Sequence, residues 1–422
     1  MSSSLAQTLE LPCGGTLPNR IGKSAMTEGL ADRDDNPTTK HNTLYQRWAE
    51  GGTGLLITGN VMVDRRYLER AGNVVLDDNR GMVQLKSWLQ AGQTNGAKMW
   101  MQINHPGRQC QRTVNTRPIS PSDVQLKKVG LFGRPRPMTE ADIQEVIGRF
   151  VTTAKLAKKA GFDGVQVHAA HGYLISQFLS PITNRRSDQW GGSLENRARF
   201  LREVVRAVRQ ELGADYPVSV KLNSADFQKG GFSLEECIQV AGWLAKDSID
   251  LLEISGGSYE QLGFLGVEPT EVRDTTRRRE AYFIEYANAI RENAQIPLMI
   301  TGGFRSREVM ENAIASGEVD VIGLARPLCT QPSAPQQLID GSLDMLDLYE
   351  NSLVLGKGFW GQNSQSSLIR TINDIGSVGF YYHNIIRLAQ GLEPKTDMTV
   401  LREFVRHGTH DFGLSRRRSF RG

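Results

Sequence analysis

Two imidazoles and a phenol stand together in GVQVHAAHGYLISQFLSPITNRRSDQWGGSLENRARF, residues 164–200: His168, His171 and Tyr173. They close a short apolar run that begins at Gly164 and is followed by a helical pattern, which reads as a buried parallel strand with functional groups at its carboxyl end. Neutral imidazoles in such a place can bind a metal, act as bases, or donate N–H to an oxygen that gains negative charge. A metal needs further ligands, and no other cluster of His, Cys or carboxylate lies near a strand end. Packing is the competing explanation, but two His and a Tyr this close together are hard to assign to a core. Donation to an oxyanion fits best. Tyr173, with an ordinary pKa of about 10, would be a poor base and a usable proton donor to a carbanion-like centre.

Residues of this kind need a frame, and the rest of the chain supplies one. Apolar runs read as strands at Arg20 to Met26, Gly54 to Val61, Lys98 to His105, Gly164 to Ala170, Val218 to Ser224, Leu251 to Gly256, Pro297 to Gly302 and Val321 to Ala325. Helical patterns lie between them at Thr39 to Glu50, Met82 to Asn95, Glu140 to Ala160, Leu194 to Leu212, Leu234 to Lys246, Tyr282 to Asn293 and Arg307 to Ser316. Strand and helix alternating in this way predict an α/β protein, a (β/α)8 TIM barrel. An open doubly wound sheet is the weaker reading, because no GxGxxG follows the first strand. Thr139 before Glu140 and Asp142, and Ser193 before Asn196, read as helix caps, and Gly161 as a helix end. Two long connections, Pro106 to Met138 and Leu174 to Gly192, leave carboxyl ends of strands and should overhang one mouth. After about Pro332 the alternation stops. Residues 1–332 therefore read as barrel with a lead-in segment, and 333–422 as a mainly helical C-terminal extension packed on the barrel or on a partner subunit. Its Arg-rich last seven residues are expected to be loose.

The other strand ends are polar. Thr27, Asn60, Gln102, Asn104, Lys221 and Asn223 would converge on the mouth, where amides, a hydroxyl and an amine suit the edge of a flat heteroaromatic ring; solvent-facing strand ends are the alternative. Thr301-Gly302-Gly303-Phe304-Arg305-Ser306 turns the seventh strand into a helix, with glycines where backbone must approach a ligand and free amides at the helix start. Ala325 and Arg326 end the eighth. Loops after strands seven and eight recurrently hold phosphate in such barrels, and the fork of Arg suits it.

Composition narrows the class. The chain has 422 residues, 39% hydrophobic and 23% charged, with a net charge of +4, and its basic residues are scattered except at Arg416 to Arg418. Nothing in this asks for nucleic acid or a membrane surface. The amino terminus lacks a basic region followed by an apolar core, so a cytoplasmic protein is expected. Cys13, Cys110, Cys237 and Cys329 are too far apart for a zinc or iron–sulfur spacing and are expected to be reduced.

The quoted stretch closely resembles the signature of the old yellow enzyme family, the FMN-dependent NAD(P)H:flavin oxidoreductases and ene-reductases. KSAMTEGLAD, GLLITGNVMV, MWMQINHPGRQ, VSVKLNSADFQKGGF, MITGGFRS and IGLARPL extend the similarity from about Leu11 through Pro332. The resemblance implies FMN held non-covalently, NADPH or NADH as reductant, and an activated alkene as the second substrate. It implies that His168 and His171 hold the carbonyl or nitro oxygen and that Tyr173 donates the proton. Thr27, Asn60, Gln102 and Lys221 would line the flavin ring, and Gly303, Ala325 and Arg326 its phosphate. Lys221 stands where many relatives have Arg, Ala325 where Gly is usual, and Trp190 where Tyr is common, while one subgroup has Cys at the place of Thr27. The iron–sulfur branch of the family is set aside, since closely spaced cysteines are missing. A quinone- or oxygen-directed NAD(P)H oxidase and a metal-dependent barrel hydrolase remain as alternatives, and a homo-oligomer is possible.

Overall fold

A computed structural model describes residues 3–126, 130–226, 228–255 and 287–419. Eight parallel strands close on themselves: β1 (Ile21–Lys23), β2 (Leu55–Ile57), β3 (Lys98–Asn104), β4 (Gly164–Ala169), β5 (Val218–Asn223), β6 (Leu251–Ser255), β7 (Leu298–Thr301) and β8 (Val321–Leu324). Each pairs with its sequence neighbours, and β8 pairs with β1 to complete the ring. This is the (β/α)8 barrel that the alternation predicts.

Helices between the strands form where local signals agree with periodicity. Helices α1 (Thr39–Glu50), α3 (Glu140–Ala160), α5 (Leu194–Leu212) and α6 (Leu234–Lys246) have the boundaries expected from sequence, while α2 ends at Gly92 (Met82–Gly92). Thr139 caps α3 reciprocally with Asp142, and Gly161 ends that helix at φ 104°, where any side chain would be strained. Helix α5 buries Ala198, Leu201, Val204, Val205, Val208 and Leu212, one stripe at three- and four-residue spacing. Helix α4 (Leu174–Leu179) lies inside what the sequence presents as loop; all six of its residues are buried, so no amphipathic pattern marks it. Part of the helix expected over Tyr282 to Asn293 lies outside the described residues, and 287–291 are helical. Helix α7 (Arg307–Ala315) follows β7, and α8 (Pro327–Thr330) follows β8.

The barrel interior is layered, because side chains two apart on a strand share a face. At the amino-terminal end Leu55, Ile57, Trp100, Leu251, Met299 and Val321 pack with Leu9, Leu11 and Leu17. The last three come from a hairpin, Leu9–Glu10 against Thr16–Leu17, that closes this end. Two residues further along, the inner positions are polar: Gln102, Gln166, Lys221, Glu253 and Thr301. One step further come Asn104, His168, Asn223 and Ser255. The floor excludes water, and polarity rises toward the mouth.

Beyond the barrel, α9 (Ala334–Asp340), α10 (Ser367–Ala389) and α11 (Val400–Ser419) complete the described chain. Helix α10 packs on α1 and α8 of the same chain. Gly376 and Gly379 let α10 and α11 cross closely, since a Cβ at either would come within 2.6 Å of a carbonyl of α11. The His383 Nδ1 lies 3.0 Å from Glu403 Oε2 across that contact. Helix α11 continues through Ser419, so the expected loose end is helical over 416–419.

Candidate active site

Strand β4 carries His168 into the barrel, and the chain then reverses sharply. His171 has φ 60°, an uncommon value for a residue with a side chain, and its backbone N–H donates to Asn223 Oδ1 at 3.1 Å. That reversal turns both imidazoles and Tyr173 toward one space. The two rings are 5.1 Å apart and nearly perpendicular, and Tyr173 lies 5.0 Å from His168 in the same manner. Nδ1 of His168 accepts from the Ala170 N–H at 3.2 Å, which leaves Nε2 as the donor. His171 Nε2 meets Ser255 Oγ at 2.8 Å.

Burial sets the protonation. Desolvation, with His171 and Lys221 adding to it, holds His168 well below the ordinary imidazole pKa. Desolvation and Lys221 lower His171 to about 3. Desolvation, reinforced by Glu69 and Tyr382, raises Tyr173 well above its ordinary value. At neutral pH the site therefore presents two neutral N–H donors and one protonated phenol.

Below them runs a continuous hydrogen-bonded layer. Gln102 Nε2 donates to Gln166 Oε1 at 2.8 Å, and Gln166 Nε2 to Glu253 Oε2 at 2.8 Å. Thr301 Oγ1 donates to Glu253 Oε1 at 2.6 Å, the oxygen that Lys221 Nζ reaches at 2.8 Å. Burial would raise the Glu253 carboxyl, but Lys221 and these hydrogen bonds bring it below the ordinary value. Lys221 is thus at the mouth's base, already bound to a carboxylate. Glu253 is a site residue that sequence reading missed, although a lone carboxylate inside the apolar strand LLEIS was a usable signal.

Thr27 and Asn60 also reach the mouth, joined to each other at 3.0 Å. Asn60 bonds the Tyr173 hydroxyl. Glu69 and Asn73 belong to the same cluster, with Thr27 Oγ1 and Asn73 Nδ2 each 3.4 Å from Glu69 Oε2. Burial raises the Glu69 carboxyl, against the pull of Arg70. No motif pointed to Glu69.

The turn after β7 places Gly302 at φ 108° and Gly303 at φ 84°, and Ser306 caps α7 beside it. Ala325 follows β8, its carbonyl accepting from Leu328 N–H at 3.0 Å. Arg326 and Arg305 converge on one carboxylate oxygen, Glu350 Oε1, at 2.7 and 2.9 Å. Glu350 is held as these two forks would hold a phosphate oxygen. Trp190, by contrast, is remote from the chemistry: it is buried, and its indole N–H donates to Glu140 on α3.

These features fit FMN. Amides, a hydroxyl and an ammonium meet at the base of the mouth, a turn of positive φ lies after β7, and two guanidiniums stand beside it. The buried amide of Asn104, on the inner face with Gln102, has no partner for either atom among the described residues, which leaves capacity for a ligand. Among the described residues no group of three or more His, Cys, Asp or Glu is arranged to hold a metal ion.

Residues 13–344 match the model of the NADH:flavin oxidoreductase / NADH oxidase family. The chain belongs to that family. It is 37% identical over 352 residues to the NADH-dependent flavin oxidoreductase iliE of Hypocrea jecorina, an alignment covering 78% of this chain and 88% of that one. To the NADPH dehydrogenase of Geobacillus sp. (strain WCH70) it is 33% identical over 330 residues, covering 76% and 90%. The old yellow enzyme homologue of Zymomonas mobilis superposes with a TM-score of 0.69 at 25% identity, over 82% of this chain and 95% of that one. The family members therefore include this FMN-dependent NAD(P)H oxidoreductase, an old yellow enzyme by fold and by sequence. No described helix is long and apolar enough to cross a membrane.

Proposed function

We propose that the enzyme reduces the C=C bond of an activated alkene, an α,β-unsaturated carbonyl or nitro compound. The observation that carries this reading is the pair of neutral imidazoles beside a protonated phenol. Reducing such an alkene places negative charge on its oxygen and demands a proton at its α-carbon, and these three groups supply two donors and one acid. FMN, when bound, supplies the hydride carrier between NAD(P)H and the alkene. His168 donates through Nε2, and His171 exchanges its contact with Ser255 for the substrate oxygen. Tyr173 protonates the α-carbon. Thr27, Asn60, Gln102 and Lys221 line the flavin ring, and Gly303, Ala325 and Arg326 hold its phosphate. All four cysteines are free, which supports a reducing compartment such as the cytoplasm.

An anaerobic spectrum tests the reading. NADH or NADPH should bleach the flavin, and cyclohexenone should then restore its colour. Return of colour only with quinone or oxygen would favour the second reading, an NAD(P)H oxidase, which the family's description also names.

A further inference from the structure

We propose that the C-terminal helices form the outer wall of the substrate mouth and that Tyr382 is the specificity-determining residue on it, positioned by a clamp between Arg70 and Asp411. Tyr382 lies on α10, yet its hydroxyl comes within reach of Thr27, four residues beyond the end of β1, and its ring lies against Arg70. Thr27 bonds Asn60, and Asn60 bonds the Tyr173 hydroxyl. Two phenols from distant parts of the chain thus meet on one Thr–Asn pair.

The phenol of Tyr382 is fixed from behind. The Arg70 guanidinium sits 4.4 Å from its ring centroid and forms an ion pair with Asp411 on α11. His407, also on α11, places its ring 5.0 Å from that of Tyr382 and its Nε2 3.7 Å from Asp411 Oδ2. The loop that carries Arg70 touches α11 directly, because a Cβ at Gly72 would lie 3.0 Å from Leu414 Cδ1. Arg70 is only 4% exposed, whereas Tyr382 is half-buried. The guanidinium is hidden, while Asp411 and the ring of Tyr382 each keep part of their surface, an arrangement that suits a wall against which a flat conjugated ligand packs.

For the alkene the inference rests on the proposed function; for the nicotinamide it does not. The test uses the full chain loaded with FMN, as Tyr382→Ala, Tyr382→Phe and Asp411→Asn. The dependence of anaerobic flavin reduction on NADH gives one Kd, and the spectral change on adding 4-hydroxybenzaldehyde gives another. Tyr382→Ala should weaken both ligands about tenfold and Asp411→Asn about threefold, while Tyr382→Phe regains most of the loss. FMN retention should not change. Wild-type Kd values for both ligands in Tyr382→Ala overturn the inference. Weaker NADH binding in a protein that shows no phenol complex even as wild type supports the wall and sinks the alkene reading instead. Should Tyr382→Ala fail to fold, Asp411→Asn decides, and unchanged binding there counts against the clamp.

Discussion

The layer inside the barrel and the cluster at its mouth use the same kinds of residue to opposite ends. In the layer Glu253 takes hydrogen bonds from Lys221, Gln166 and Thr301, all within 2.8 Å, and its side chain is fully buried. At the mouth Glu69 takes two bonds of 3.4 Å, both on Oε2, and Oε1 receives none among the described residues. Saturation fixes a shape in a low dielectric, where an unpaired charge is expensive. Spare hydrogen-bonding capacity is what a surface that must receive a ligand retains. Mutations below should therefore cost stability, and mutations above should cost turnover.

The largest effect expected belongs to the mouth. Changing His168 and His171 together to Ala should slow reoxidation of the reduced flavin by cyclohexenone by about 10³-fold or more, with the thermal midpoint nearly kept; stopped-flow traces like those of the wild type would remove the oxyanion role. Glu253→Gln reverses the pattern. It strands the Lys221 charge and should cost about 3 kcal/mol of unfolding free energy in a denaturant titration, and an unaltered midpoint would blur the distinction between layer and mouth. Tyr173→Phe comes next, slowing the alkene step by about 10²-fold and leaving reduction by NADH within about twofold; equal slowing of both half-reactions would argue against a proton donor. Arg326→Ala should raise the FMN dissociation constant by about tenfold, and fluorescence of released flavin reads this directly.

The smallest effect is a flat line. His171 titrates near 6.5 when unfolded and at about 3 when folded. Between those values the unfolded chain binds the extra proton, so the contribution of His171 to stability is complete above about 6.5 and falls as pH drops toward 3. The rate of the alkene step should accordingly vary little from about pH 6 to 8.5, and a bend near 6.5 would mean an imidazole that charges during turnover.

What the sequence revealed follows from how far each signal reaches along the chain. Strand runs, the Thr139 cap and the stripe on α5 are local, and the elements formed where they point. The polar strand residues Gln102, Lys221 and His168 were legible because period-two alternation fixes the face they share, whereas His171 joins them only through the chain reversal after β4. Helix α4 was hidden because every residue in LISQFL is buried. Glu69 and Tyr382 were hidden for another reason: neither sits in a motif, and each acquires meaning only from a partner elsewhere in the chain. The long loop after β3 kept its place over the mouth, with Gln109 Nε2 donating to the His171 carbonyl at 2.7 Å.

Arg70 and Asp411 stand 341 positions apart. The eight strands have all been synthesised by Leu324, and Glu350 follows soon after, but the clamp waits for the last helix to emerge. The order of translation is thus an order of availability: the strands and the Arg305–Arg326–Glu350 cluster come first, and the partner of Arg70 last. A chain cut short of Asp411 would keep all eight strands and the Arg305–Arg326–Glu350 cluster while leaving Arg70 without its carboxylate on α11.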